Sequence, residues 1–329
     1  MTGSGPPPVV DTHTHYVPPS YRAALLREAE RDPAFAAQHR LRLRSAADGA
    51  APANNAGLRL QDMAEAGVDH CLLSLPPPAA TFGSAAAAAA VARDANDELL
   101  AAAQASAGRL SVLLALPLPH VGPALAELHR LAAAPGVAGV QVLTTGEASG
   151  LAPDNAEEVL AAAAAAGLPV VLHPAIEPLP AVYADFLLEA SLAPVMSSTV
   201  ALARLVLSGV LDRVPDLQLV VPHLGGFLPY VVARVADFGR GAAEHDLAYY
   251  LRERVHLDTC SYHPPALRCA VDTVGVDRLV LGSDYPFRGS LGRAVEDVRS
   301  FFADDPRATA AVLGGTAARL FRTVRASLD

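Results

Sequence analysis

Short apolar runs recur along the chain, and helix-forming stretches separate them. Eight runs stand out, at residues 9–15, 68–75, 110–116, 138–143, 169–173, 217–223, 255–259 and 278–284. Each is mostly Val, Leu or Ile with little polar alternation, the pattern of strands covered on both faces. Turn signals precede several of them: Gly67, Gly136, Gly167-Leu168-Pro169, Pro215-Asp216 and Gly275. Between them, residues 84–107 and 156–166 contain the alanine runs 85–90 and 161–166 and predict helices, because alanine carries the highest helix propensity. Residues 181–213 predict two helices broken near Pro194, and residues 292–328 two or three helices that close the chain. Eight strands alternating with helices predict a (β/α)8 TIM barrel, a single domain over residues 1–329. An open doubly wound sheet is the alternative, but no G-x-G-x-x-G follows the first strand, which weakens its dinucleotide-binding form. Residues 16–57 form an insertion after strand 1, expected to act as a lid, with Arg40, Arg42 and Arg44 in it and a loop-like end at 48–57.

The polar exceptions to the apolar pattern fall at the strand ends. Strand 1 ends Asp11-Thr12-His13-Thr14-His15, strand 5 Leu172-His173-Pro174, strand 6 Pro222-His223-Leu224-Gly225-Gly226, and strand 8 Gly282-Ser283-Asp284-Tyr285-Pro286-Phe287. In a parallel barrel the strand C-termini form the active-site mouth. Four histidines and an aspartate therefore converge there. Residues i and i+2 of a strand share a face, so His13 and His15 can meet one ion. Imidazole nitrogen and carboxylate oxygen suit Zn²⁺ and other borderline divalent metals, and three histidines with one aspartate leave a coordination position open for water or substrate. Among the other histidines, His39, His129, His245 and His256 are expected to be solvated, and His70 to be a satisfied core residue. His120 follows strand 3, and His263 follows strand 7 close enough to the mouth to touch substrate.

Composition narrows the chemistry. All 25 basic residues are arginine, and lysine is absent. That excludes Schiff-base aldolases, pyridoxal-phosphate enzymes and Walker-type phosphate loops. It also excludes a metal pair bridged by a carboxylated lysine. A glutamate-bridged pair is not excluded on that ground, but strand 4 (Gln141-Val142-Leu143-Thr144) ends without a glutamate. The formal charge of −9 argues against a nucleic-acid or anionic-membrane partner. Cys71, Cys260 and Cys269 show no C-x-x-C spacing and read as thiols in a reducing compartment. Residues 1–8 lack a basic segment followed by an apolar core, so no secretory signal is expected. No apolar stretch is long enough to span a bilayer, and the expected location is the cytoplasm.

Taken together, these motifs resemble the amidohydrolase-2 family of the amidohydrolase superfamily. The resemblance also takes in Arg59-Leu60-Gln61-Asp62-Met63 and Gly315-Thr316-Ala317-Ala318-Arg319-Leu320-Phe321, and so covers nearly the whole chain. It implies a mononuclear site in which His13, His15, His173 and Asp284 hold one divalent metal, usually Zn²⁺ and in some members Mn²⁺. It implies that His223 is a catalytic acid/base beside the metal rather than a ligand, and that the protein is a homodimer. Phe227 departs from the family pattern where a third glycine is common, and Thr316 where Asn is usual.

The expected reaction is non-oxidative, metal-dependent decarboxylation of a small aromatic or unsaturated carboxylic acid. His223 would act as acid/base, Asp284 would share the proton traffic, and an arginine would orient the substrate carboxylate. Arg44, Arg42 and Arg288 are the candidates by position. The same residues also suit hydrolysis of a lactone, amide or C–C bond, or hydration of a double bond, through a metal-activated water. A non-catalytic metal-binding barrel is a third reading.

Overall fold

The eight apolar runs form eight parallel strands hydrogen-bonded in chain order: β1 (Val10–His15), β2 (His70–Ser74), β3 (Leu110–Ala115), β4 (Val137–Thr144), β5 (Val170–Pro174), β6 (Leu219–Val221), β7 (Val255–Asp258) and β8 (Leu279–Val280). They are seen in a computed structural model that describes residues 8–47, 52–144, 153–175, 181–287 and 290–328. Chain just beyond β8 closes the ring against β1. Thr12 N donates to Leu281 O at 2.9 Å, Asp284 N to His13 O at 2.9 Å and His15 N to Tyr285 O at 2.8 Å. Thr14 and Tyr285 form a parallel bridge. The architecture is the expected (β/α)8 TIM barrel, not an open sheet.

The lower interior is apolar. Val10, Leu72, Leu113, Ala138, Val171, Val220 and Val280 point inward from seven strands and pack with Ala317, Phe321 and Val324 of the C-terminal helices. This plug fills the barrel and leaves its polar chemistry to the opposite, C-terminal rim. A second, larger core lies between the strands and the surrounding helices.

Two strand ends differ from the sequence reading. Runs 217–223 and 278–284 become the short strands β6 and β8, so His223 and Asp284 lie on the irregular chain that follows them. A strand would fix a side chain's direction by alternation; here backbone turns do so instead. The helical stretches are also more divided. Residues 181–213 contain Ala181–Leu187, Leu188–Ser191, Ala193–Leu207 and Val210–Arg213, and the chain from 291 onward comprises five helical pieces.

The insertion after β1 carries helices Pro19–Arg31, Pro33–Gln38 and Arg40–Ala47. Tyr21 pins it to the rim: its hydroxyl donates to Pro76 O at 2.7 Å and accepts from Ala79 N at 3.0 Å. Part of the expected loop at 48–57 is ordered helically. Pro52–Asn54 is a single 3-10 turn, and Asn55 caps helix Ala56–Ala66 by accepting from Leu58 N; residues 48–51 lie outside the described residues.

Two histidines expected in solvent are buried. His39 stacks on Phe35 with ring centroids 4.4 Å apart, and His256 sits beside Arg278. His70 is in the core as expected, its Nε2 2.9 Å from Ser111 Oγ. All three cysteines are free thiols, with Cys71 and Cys260 buried. Among the described residues no single helix is long and apolar enough to cross a membrane, although the bent pair Val182–Ser191 and Ala193–Leu207 passes by length and composition alone.

Candidate metal centre and active site

β1 delivers His13 and His15 to the rim, β5 delivers His173, and the turn after β8 delivers Asp284. One donor atom from each lies within 4.8 Å of all the others. The separations are 3.2 Å between His13 Nε2 and His173 Nε2, 3.3 Å from His15 Nε2 to Asp284 Oδ1, and 3.6 Å from His13 Nε2 to the same oxygen. Atoms about 2.1 Å from a shared ion, at octahedral to tetrahedral angles, lie roughly 3.0–3.4 Å apart. Two of the separations match that spacing and the third exceeds it by about 0.2 Å, so the four donors can meet one ion after a small adjustment.

The ring tautomers follow from the partners on the far side. His13 Nδ1 lies 2.6 Å from Asp258 Oδ2, and His173 Nδ1 lies 2.9 Å from Pro174 O. A carboxylate and a carbonyl can only accept, so both Nδ1 atoms carry the hydrogen. Ser74 Oγ donates its single hydrogen to Thr14 O and lies 3.0 Å from His15 Nδ1, so it accepts from that ring. Each ring thus keeps Nε2 as the atom turned inward, as a lone pair on His15 and His173 and on His13 once its Nε2 proton leaves. Two ring nitrogens 3.2 Å apart need either a proton or a metal ion between them. These four residues could hold one divalent ion.

Protonation tells the same story. Burial opposes a charge on His13, but the Asp258 charge and hydrogen bond outweigh it and push its pKa up to about 9. Burial pushes His15 down to about 4 and, with the neighbouring imidazoles, holds His173 well below the ordinary range. Burial also opposes ionisation of Asp284, yet the histidine rings around it, His15 and His223 first, outweigh it and hold the carboxyl well below its usual range. The cluster is a negative carboxylate beside neutral His15 and His173, with positive charge favoured at His13, a charge that a bound cation would supply in its place.

His223 stands beside this set. Its Nε2 is 4.0 Å from Asp284 Oδ2, and its ring centroid is 5.1 Å from that of His13. The chain turns sharply here: His223, Leu224, Gly225 and Gly226 all have positive φ. Asp258 Oδ1 ties the turn down by accepting from His223 N at 2.7 Å. Asp284 is also left-handed, at φ 58. Such backbone costs on the order of 1–3 kcal/mol per non-glycine residue and persists where surrounding structure enforces it. A Cβ at Gly226 would collide with Thr199 Oγ1 and Val195 O. Phe227, with φ −90, needs no glycine, so that departure from the family pattern costs nothing.

The arginine candidates separate. Arg44 is exposed on its helix. Arg42 lies inward: its guanidinium sits 3.8 Å over the Phe287 ring, its Nε donates to Pro77 O at 3.2 Å, and its charge is felt by Asp284 and His15. The Phe287 ring in turn tilts against His15 at 5.6 Å. Arg288 lies outside the described residues. His263 is exposed at the head of helix Pro264–Val274, turned to solvent rather than buried at the mouth.

Two contributors escaped the sequence reading. Asp258 closes β7, and an aspartate ending the apolar run Val255-His256-Leu257-Asp258 is the sequence signal for it. Arg59 is fully buried, donates to the His15 carbonyl, and lies 4.8 Å over the Tyr285 ring. Its side chain braces the two segments that carry His15 and Asp284.

Comparison with known proteins adds three findings. The family model described as Amidohydrolase matches residues 10–323. Gamma-resorcylate decarboxylase of Polaromonas sp. (strain JS666 / ATCC BAA-500) is 28% identical over 255 residues, which cover 70% of this chain and 76% of that one. Among solved structures, Metarhizium anisopliae IDCase in apo form superposes with TM-score 0.80 at 27% identity, covering 96% of this chain and 97% of that one. A dihydroxybenzoic acid decarboxylase from Polaromonas sp. JS666, solved with bound manganese and the inhibitor 2-nitroresorcinol, gives TM-score 0.78 at 22% identity, covering 96% and 97%.

Proposed function

The chain belongs to the amidohydrolase family, and we propose that within it the chain is a carboxy-lyase: a metal-dependent, non-oxidative decarboxylase of a small hydroxylated aromatic or unsaturated carboxylic acid. The carrying observation is the inward-facing set of His13, His15, His173 and Asp284 with His223 beside it and outside it. The decarboxylase relative that aligns over most of the chain supports the same reaction class.

His13, His15, His173 and Asp284 are the proposed ligands of one divalent ion. Zn²⁺ is the first choice, because three imidazole nitrogens suit it; Mn²⁺, the ion in the Polaromonas structure, is the alternative. When bound, the ion supplies a Lewis acid that draws a substrate oxygen and offsets developing negative charge. The protein's own residues do the rest. Arg42 holds the carboxylate end through its guanidinium, which Phe287 keeps flat and in place. As the bond to CO2 breaks, its electron pair stays with the substrate and the carbon left behind takes up a proton. His223 holds that proton at Nε2, and Asp284 Oδ2, 4.0 Å away, is the partner with which it exchanges. Helices Pro19–Arg31, Pro33–Gln38 and Arg40–Ala47 of the insertion are the proposed lid that limits water. A homodimer in the cytoplasm completes the proposal, the compartment being one in which three free thiols stay reduced.

The test is to incubate the metal-loaded protein with a panel of hydroxybenzoates and unsaturated diacids, and to measure CO2. CO2 release matched by a decarboxylated product is expected. His223→Ala should keep its metal and lose activity by roughly 10²–10⁴-fold. A hydrated or ring-opened product without CO2 would sink the reading, and metal loss in His223→Ala would sink the role given to that histidine.

A further inference from the structure

A thiol lies close to the imidazoles of the site and has no part in the chemistry above. One ring nitrogen of His13, one of His223 and the Sγ of Cys260 lie within 4.8 Å of one another, a second three-donor set among the described residues. Cys260 is buried, and its backbone N donates to Asp258 Oδ1 at 3.0 Å, which fixes its place beside the turn that carries His223. His223 Nδ1 is buried and has no hydrogen-bond partner. A buried imidazole nitrogen with nothing to bind is a free donor or acceptor aimed into the protein.

The two donor sets differ in character and cannot both be satisfied. The first is three nitrogens and a carboxylate oxygen, suited to borderline and harder ions; the second contains sulfur, which soft ions prefer. His13 is common to both. If the second set uses His13 Nε2, that nitrogen is taken from the first. If it uses Nδ1, the 2.6 Å bond to Asp258 must break, and with it the hold on the ring. Either choice dismantles the productive arrangement.

We propose that His13, His223 and Cys260 form a second, competing ion position that accepts a thiophilic divalent cation such as Cd²⁺. On binding, the Cys260 S–H bond breaks, its proton leaves to solvent, and a sulfur–metal bond forms; no electron is transferred. The position engages His223 as well. Its effect on turnover therefore rests on the role proposed for that residue, while the ion position itself does not.

The test titrates Cd²⁺ into the purified metal-loaded protein and follows the ultraviolet sulfur-to-cadmium charge-transfer band, together with release of the resident metal. One equivalent should raise the band in wild type and in Cys71→Ser and Cys269→Ser. Cys260→Ser and Cys260→Ala should lose it, with Cd²⁺ affinity down at least tenfold. Two replacements guard against one that folds badly. No band in wild type, or a band that survives both Cys260 replacements, overturns the proposal. The readout is independent of catalysis, so a failed decarboxylase assay leaves it standing.

Discussion

Asp258 Oδ2 accepts a 2.6 Å hydrogen bond from His13 Nδ1, and its other oxygen accepts from the backbone N of His223. One carboxylate thus orients a proposed ligand and the proposed acid/base together. Asp258→Asn keeps the volume but places an amide hydrogen where an acceptor is needed or leaves a weaker acceptor. Metal affinity should fall roughly 10–100-fold, the usual cost of losing such an orienting partner. Competition with a chromogenic chelator measures it. Unchanged affinity would show that His13 needs no such support.

Arg42 and Arg44 lie two positions apart on one helix and should behave differently. Arg42→Met removes a charge held over Phe287 and sensed by Asp284. Loss of a charged hydrogen bond of about 1.5–3 kcal/mol predicts roughly a 10–100-fold rise in KM, with metal content unchanged. Arg44→Met, on the exposed side, should stay within about twofold. Steady-state kinetics on whichever acid releases CO2 decide this; equal effects would contradict the assignment.

Much of this site was legible from the chain. The i, i+2 histidines of strand 1 and the polar ends of strands 5, 6 and 8 stood out because apolar strands make polar exceptions conspicuous. The arginine was not legible: Arg40, Arg42 and Arg44 look alike in sequence, and only the docking of the insertion through Tyr21 turns Arg42 inward. The burial of His39 and His256 was hidden for a similar reason. His39 lies within the insertion, stacked on Phe35, whose ring packs on Phe82 of a distant segment, and His256 lies beside the distant Arg278.

Those buried histidines set a pH response. His39, His70 and His256 are each pushed by burial from 6.5 to about 4. Between these values the unfolded chain takes up protons that the native state refuses, so the contribution of each is present above pH 6.5 and lost as pH falls toward 4. The slope is on the order of 1.4 kcal/mol per pH unit for each histidine. Asp11, raised by burial to about 6, and His13, raised to about 9, work in the opposite sense, against these three and the lowered His15 and His173. Urea unfolding from pH 7 to pH 4.5, at fixed metal, should show stability falling throughout. A flat or rising profile would contradict the buried neutral state of the three rings.

Gly282 offers the most local test of the Asp258 support. Its φ is ordinary, so space rather than backbone freedom requires glycine. A Cβ there would lie 2.6 Å from Asp258 Oδ2, 2.7 Å from Cγ and 2.8 Å from Cβ. The near face of the whole carboxylate is in the way, and Asp258 cannot yield without leaving His13. Gly282→Ala should therefore lower metal affinity as Asp258→Asn does, although Gly282 offers no side chain to any ion. Overpacking should cost about 1–3 kcal/mol of stability as well. Because both replacements act through one contact, the double variant Gly282→Ala/Asp258→Asn should lose less affinity than the two single losses combined. Full additivity would mean that Gly282 acts by some other route.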